Sequence, residues 1–227
     1  MTSANSTLYQ HVEENGRTYH AYKSGSDSHF FSIAVPPNCR FVVEDAEDDW
    51  EHDDKFSYIH ARAVLSCFAD PSVVIRKAFN ALEPGGYIEF QDHMAPFEFV
   101  EPPPEDSALA QWNQLSIEAS IKGGRPWNNS KNYARWMREA GFVDVEEHKV
   151  WVPCGTFVED PKLRKMGLYH VTNMMQGIDG MTTRNLSRLG WKPEESKVLA
   201  ARAIAELREG RVKPFNFILA VWGRKPS

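Results

Sequence analysis

Apolar residues along this chain follow two rhythms, short continuous runs and spacings of three and four, and the two rhythms alternate. Phe41, Val42 and Val43, within the stretch from Arg40 to Glu44, form a short β-rich run. It ends in an acidic cluster, Glu44, Asp45, Glu47, Asp48 and Asp49. The run from Phe56 to His60 predicts a second strand. Asp70-Pro71 then marks a helix start, with Asp as N-cap and Pro at the first helical position, where its missing N–H costs nothing. Val74, Ile75, Ala78, Phe79 and Leu82 recur at helical spacing, so one face packs inward. Pro84-Gly85-Gly86 predicts the stop, with glycine supplying positive φ in the turn. Tyr87 to Gln91 resumes as strand. A helix between two apolar strands is a β–α–β unit, a right-handed crossover joining parallel strands, so the expected fold class is α/β.

The second half continues with helices. The proline-rich stretch from Glu98 to Pro104 predicts an extended linker, and Leu109, Trp112 and Leu115 mark an amphipathic helix. Ser130 is the expected cap of another, in which Tyr133, Trp136, Met137 and Ala140 share a face and Gly141 ends the element. Phe142 to Val152 predicts a strand. Leu163, Met166, Gly167, His170, Val171 and Met174 trace a helical stripe whose commonest use is core or cavity wall. Pro193 to Glu209 predicts a helix, and Phe215 to Trp222 a closing strand.

Composition narrows the function classes. Hydrophobic residues at 42% and charged residues at 25% suit a soluble globular domain. A net charge of −5 without a block of lysines and arginines argues against a nucleic-acid surface. Cys39, Cys67 and Cys154 form no C-x-x-C pair, which points to reduced thiols rather than disulfides or a zinc cluster. Met1 to Gln10 is polar and lacks the form of a secretory signal, and the longest apolar run, Phe217 to Trp222, is far short of the ~20 residues that span a bilayer. The expectation is a cytoplasmic or nuclear protein with neither nucleic acid nor membrane as partner.

Several segments together resemble one family. Val35-Pro-Pro-Asn-Cys-Arg-Phe41 with Asp45-Ala-Glu-Asp48 is similar to the third strand of fungal class I, Rossmann-like S-adenosylmethionine (SAM)-dependent methyltransferases. Phe56-Ser-Tyr-Ile-His-Ala-Arg62 resembles their fourth strand and the turn after it, and the stretch from Ala78 through Pro84-Gly-Gly86 to Asp92 their next helix, turn and strand. Ala140-Gly-Phe-Val-Asp-Val145 and Val221-Trp-Gly-Arg-Lys-Pro226 match the last elements, and Asn15-Gly-Arg-Thr-Tyr-His-Ala-Tyr-Lys23 the opening. The relatives implied are methyltransferases that regulate fungal secondary metabolism with velvet proteins, or that act within metabolite gene clusters.

That resemblance implies a division into an N-terminal segment, 1–34, and a methyltransferase-like α/β domain, 35–227, with a helical insertion at about 155–210. It implies SAM as cofactor, with Asp45 at the adenine amino group, the backbone of Ala46 beside the ring, and His60 and Arg62 lining the cofactor and substrate side. A solvated acidic turn accounts for Asp45 as well, a capping or packing role for His60, and a surface ion pair for Arg62. The acceptor would be a small molecule, a secondary metabolite, or a protein, with Trp112, Trp127, Tyr133, Trp136 and Tyr169 as candidate apolar walls. No catalytic residue is singled out, since methyl transfer from a sulfonium depends mainly on positioning.

The family's glycine-rich turn, and a second acidic residue for the ribose, belong between the segments ending at Lys23 and starting at Val35. Only Ser24 to Ala34 lies there, with Gly25 its one glycine. On the order of 60 residues, two βαβ-sized pieces with the sheet's first two strands, are absent relative to the pattern. Three readings of the gap follow: a lost exon in an ordinary methyltransferase, a real short form that binds a regulatory partner without catalysis, or a pocket for another ligand. Weak or absent SAM binding is expected.

Overall fold

The computed structural model describes residues 11–14, 17–20, 38–40, 42–52 and 54–227. The chain forms two compact units, residues 1–45 and 46–227. In the first, β1 (His11–Glu14) pairs antiparallel with β2 (Arg17–His20), Glu14 opposite Arg17. The sequence between them, Asn15-Gly16, is the commonest two-residue hairpin signal, which periodicity alone does not register. The run expected as a strand around Phe41 is not one among its described residues: Val42 is 63% exposed, and 42–45 has no regular structure. So short a run makes no ladder without a neighbour to pair with, and its exposed valines bury little apolar surface.

The second unit carries a mixed sheet. β3 (Phe56–Arg62) runs into α1 (Pro71–Ala81) and returns as β4 (Leu82–His93), parallel to β3. The expected start of α1 holds, with the Asp70 side chain accepting from the Ser72 N–H at 2.9 Å. β4 starts earlier than the sequence suggests. Phe56 pairs with Leu82 but Tyr58 with Tyr87, so Pro84-Gly85-Gly86 is an irregularity inside the strand, with Gly85 at φ +82°. A short β5 (Glu98–Phe99) and α2 (Ala108–Lys122) follow, then a 3₁₀ turn (Asn129–Asn132), α3 (Tyr133–Ala140), β6 (Val143–Pro153), α4 (Pro161–Ser187), α5 (Pro193–Glu209) and β7 (Pro214–Arg224). β7 pairs antiparallel with β4 on one side and β6 on the other, and β5 extends the β4 side at Phe215. Ser130 does not cap α3: it lies in the 3₁₀ turn, and its hydroxyl donates to the His93 carbonyl at 3.1 Å. Gly141 ends α3 at φ +101° as expected.

Period-two alternation sorts the sheet's faces. Ile88 and Phe90 of β4 and Leu219 and Val221 of β7 pack on one face against Val74, Ile75 and Ala78 of α1 and Tyr133 and Met137 of α3. On the other face a row runs across the sheet in register, His60, Glu89, Trp222 and Glu146, none of it fully buried. Neighbouring polar groups satisfy one another. Tyr58 donates a short hydrogen bond to Glu89, which also accepts from Gln91 Nε2 at 2.6 Å. Tyr58 is held up to about 12, first by burial and then by that bond, while the same bond holds Glu89 down.

A second core joins α2, α4 and α5 around Leu109, Trp112, Ile178, Leu186 and Ala203. Its cornerstone is polar. Glu206 of α5, 4% exposed, accepts from the Ser107 hydroxyl at 2.8 Å and from the backbone N–H groups of Ala108 and Leu109 at 2.9 and 3.1 Å. The carboxylate thus satisfies donors that the first turn of α2 leaves free and meets the positive end of its dipole. Glu206→Ala is expected to cost about 2–4 kcal/mol in urea unfolding, because buried donors lose a charged partner, while Glu206→Gln recovers part of the loss.

Candidate functional site

β4 ends where the chain must choose between two faces. Asp92 turns toward the helices and is 2% exposed. Its carboxylate accepts from the Tyr133 hydroxyl at 2.9 Å and from the Leu65 N–H at 3.2 Å, tying β4 to α3 and to the loop after β3. Burial pushes the acid up from an ordinary 3.8 to about 6, although these donors oppose the shift. Burial, then the charge of Asp92, pushes the Tyr133 phenol well above its usual range.

The next residue, His93, faces a cavity of about 370 Å³ between the sheet's end and the second helical core. The cavity opens at the carboxyl end of β4, the strand of the parallel pair on which α/β proteins commonly build ligand sites. Trp112, Trp127, Phe97, Met94, Met174 and Met181 supply most of its apolar wall. The loop after β4 is pinned at both ends. The Met94 N–H donates to the Phe217 carbonyl at 2.8 Å, and the Asn113 amide clamps the backbone of Phe97, accepting at 3.3 Å and donating at 2.8 Å. Phe97 stacks on Trp112, whose indole N–H donates to Thr182 Oγ1 at 2.7 Å.

Two imidazoles meet in this cavity, His93 and His170, with ring centroids 5.6 Å apart. Asn216 Nδ2 lies 2.9 Å from His93 Nδ1. An amide nitrogen only donates, so that ring nitrogen accepts and Nε2 carries the proton of neutral His93. His170 Nδ1 lies 3.1 Å from the Pro153 carbonyl oxygen, which only accepts, so His170 keeps its proton on Nδ1 and its lone pair on Nε2. Burial holds both below the usual histidine range, with the charge of Arg62 acting in the same direction on His93 and that of His93 on His170. At neutral pH the pair therefore offers one N–H donor and one nitrogen acceptor without net charge. Ser116 and Asn216 also line the cavity, but Ser116 Oγ and Asn216 Oδ1 are turned away from its open space, buried without a hydrogen-bond partner.

His170 reaches Pro153 because α4 packs unusually close to the end of β6. A Cβ at Gly167 would collide with the carbonyl oxygen of Gly155, so glycine one turn before His170 is a packing requirement.

None of the cofactor-side residues singled out from the sequence lines this cavity, and one of them is linked to it. His60 and Arg62 stand two apart on β3 itself rather than in the turn beyond it, neither of them buried. His60 stacks on Tyr58, and Arg62 acts on His93 through its charge. Ala46 opens the second unit, with its carbonyl accepting from Trp50 Nε1 at 2.9 Å. Asp45 closes the first unit, half-buried. Within the acidic cluster, Glu47 serves the fold. Its Oε1 accepts from the N–H groups of Ala69 and Asp70 at 2.9 Å, just before α1, and its other oxygen pairs with Arg125 at 3.4 Å. Among the aromatic residues expected as walls, Trp112 and Trp127 line the cavity, Tyr133 is core beneath Asp92, and Tyr169 is 65% exposed. Trp136 packs against the core around Tyr133 instead. Sequence reasoning does not single out His93 or Asn216, and it places His170 only within a stripe. A histidine at the end of the Tyr87–Gln91 strand is the available signal.

Residues 7–147 match the family described as a methyltransferase domain. The chain belongs to that family. It is 31% identical over 195 residues to methyltransferase pytC of Aspergillus terreus, covering 85% of this chain and 60% of that protein. It is 28% identical over 200 residues to the secondary metabolism regulator laeA of Aspergillus fumigatus, covering 84% and 52%. The chain thus spans between about half and three fifths of the length of these relatives. A solved phosphoethanolamine N-methyltransferase 2 of Haemonchus contortus, in complex with S-adenosyl-L-methionine, aligns with a TM-score of 0.42 at 15% identity, covering 81% of this chain and 36% of that one.

Two substitutions test the site's construction in this methyltransferase-family chain. The folded state keeps the Asp92 proton up to about pH 6, whereas the unfolded chain releases it near 3.8. The stability from this group is therefore complete below the lower value and lost as pH rises through the upper one, on the order of 1–3 kcal/mol. Unfolding free energy measured from about pH 4 to about pH 7 should fall by that much more in the parent than in Asp92→Asn, with the carboxamide blind to pH. Gly167→Ala is expected to lower stability by about 1–3 kcal/mol through overpacking. It should also shift the His170 ring resonances in NMR, which a purely local strain would leave in place.

Proposed function

We propose that this chain serves methyl transfer to a small, neutral, largely apolar acceptor, with SAM as donor and the 370 Å³ cavity as the acceptor site. The observation that carries this reading is the pair of neutral imidazoles set in an aromatic wall at the carboxyl end of β4. SAM supplies an already activated methyl group, so the protein's share is to hold the acceptor, exclude water and receive a proton. The aromatic and methionine walls exclude water, and His170 Nε2 is the proton-accepting atom, its ring fixed by Pro153.

The described residues do not by themselves fit an adenosyl group. The parallel pair passes from strand to helix through residues 63–70, which contain no glycine, and it is Ala63 that takes positive φ, at 56°. A side chain therefore stands where the backbone would have to approach a ligand closely. Asp45, Ala46, His60 and Arg62 remain the residues we assign to the cofactor side.

A second reading, a catalytically inactive regulatory or interaction protein, draws on a different observation. β3 pairs only with β4 among the described residues, leaving its other edge open beside the polar group of Tyr58, Glu89 and Gln91. Parallel strands are normally covered on both faces, and open edges invite pairing.

Calorimetry separates the two. Under the first reading, titration with SAM at millimolar concentration gives weak, saturable heat that Asp45→Ala diminishes. Absence of heat from the parent chain at that concentration would end the first reading for this chain and favour the second.

A further inference from the structure

The cavity's chemistry defines its occupant more narrowly than size and apolarity do. None of its lining residues is Asp, Glu, Lys or Arg, and both imidazoles are neutral at physiological pH. A charged ligand would give up hydration without an ion in the wall to pair with, and Arg62 acts on the site only from outside the lining. Trp112, Trp127 and Phe97 present aromatic surface, and Met94, Met174 and Met181 thioether surface, both favourable against a flat π-system. At about 370 Å³ the space lies near the lower end of ligand pockets and suits a compact ring system rather than a peptide segment.

The polar atoms then decide what such a ring must carry. His170 Nε2 is an acceptor by the tautomer that Pro153 imposes. His93 Nε2–H is its counterpart, a donor by the contact of Nδ1 with the Asn216 amide. One acceptor and one donor thus stand side by side, and a ligand group that both donates and accepts is matched best. A ring ether or ester would leave His170 Nε2 without a donor, at the cost polar groups carry when unpaired.

We infer that the cavity at His93 and His170 binds a neutral hydroxylated aromatic molecule, its phenolic O–H donating to the imidazole acceptor and its ring lying against the aromatic and methionine wall. The inference rests on the reading that this cavity is the acceptor site, but binding needs no methyl donor.

The test is a titration of the full chain, without SAM, by three probes of one ring size: 2-naphthol, its methyl ether 2-methoxynaphthalene, and naphthalene-2-sulfonate. Binding is followed by calorimetry and by quenching of tryptophan emission. The expected order is 2-naphthol first, the ether weaker by about tenfold for the lost hydrogen bond, and the sulfonate weakest. His170→Phe should bring 2-naphthol down to the ether's affinity and leave the ether unchanged, with circular dichroism confirming the fold. Equal affinity for naphthol and ether, preference for the sulfonate, or no saturable binding of naphthol would each overturn the assignment. The ligand series on the unmodified chain decides even if the variant fails to fold. Naphthol binding in a chain that gives no heat with SAM leaves this inference standing and removes the methyl-transfer reading alone.

Discussion

β4 is hydrogen-bonded along both edges, parallel to β3 and antiparallel to β7, and this double pairing fixes which way each of its side chains points. A slip of one residue would exchange its two faces completely. With the register as it stands, Ile88, Phe90 and Asp92 enter the helical face, and Glu89, Gln91 and His93 the other. Asp92 is the destabilising member of the first set when ionised, a buried acid whose two hydrogen bonds recruit α3 and the loop after β3. His93 is the productive member of the second. The burial of one and the placement of the other follow from a single choice of register.

The second helical core depends on a comparable arrangement. Glu206 fixes the start of α2 against α5, and α2 then carries Trp112, Asn113 and Ser116 to the cavity. Asn113 holds the loop after β4 through both its oxygen and its nitrogen, so the two cores communicate through hydrogen bonds of fixed geometry rather than through apolar contact alone. A wall assembled from α2, α4, the β4 end and β7 needs each of these anchors, because no single element contributes more than part of it.

How much of this is legible in the sequence depends on whether local chemistry or long-range pairing decides the outcome. Asp70-Pro71 and Gly141 act through their own backbone, and both of those helix ends are readable. Pro84-Gly85-Gly86 is readable as a turn but not as an irregularity within β4, because the distinction lies in how β3 aligns against it. Phe41 to Val43 has strand composition, yet composition supplies no neighbour. The histidine stripe of α4 is readable as cavity wall. Its pairing with His93 is not, since the two residues are separated by β5, α2, the 3₁₀ turn, α3 and β6 and meet only through tertiary packing. Glu206 illustrates the same limit: in sequence it is one of many charges on an amphipathic helix, and only α2's unsatisfied N–H groups give it a role.

The family assignment sharpens what the asymmetry of the sheet means. A parallel β–α–β unit with helices packed on one face and a satisfied polar row on the other is stable in part because that row is internally bonded. Tyr58, Glu89 and Gln91 exchange hydrogen bonds among themselves rather than waiting for a partner, so an uncovered face carries no large desolvation penalty. The cavity follows the opposite logic. Its two imidazoles keep complementary tautomers imposed by Pro153 and by the Asn216 amide. Unmet hydrogen-bonding capacity costs little on an exposed face, where water supplies the partner, and much in an enclosed one. His93 and His170 each meet that cost at one ring nitrogen through a fixed partner, which leaves the other nitrogen of each free to differ, one a donor and one an acceptor, within a largely apolar lining.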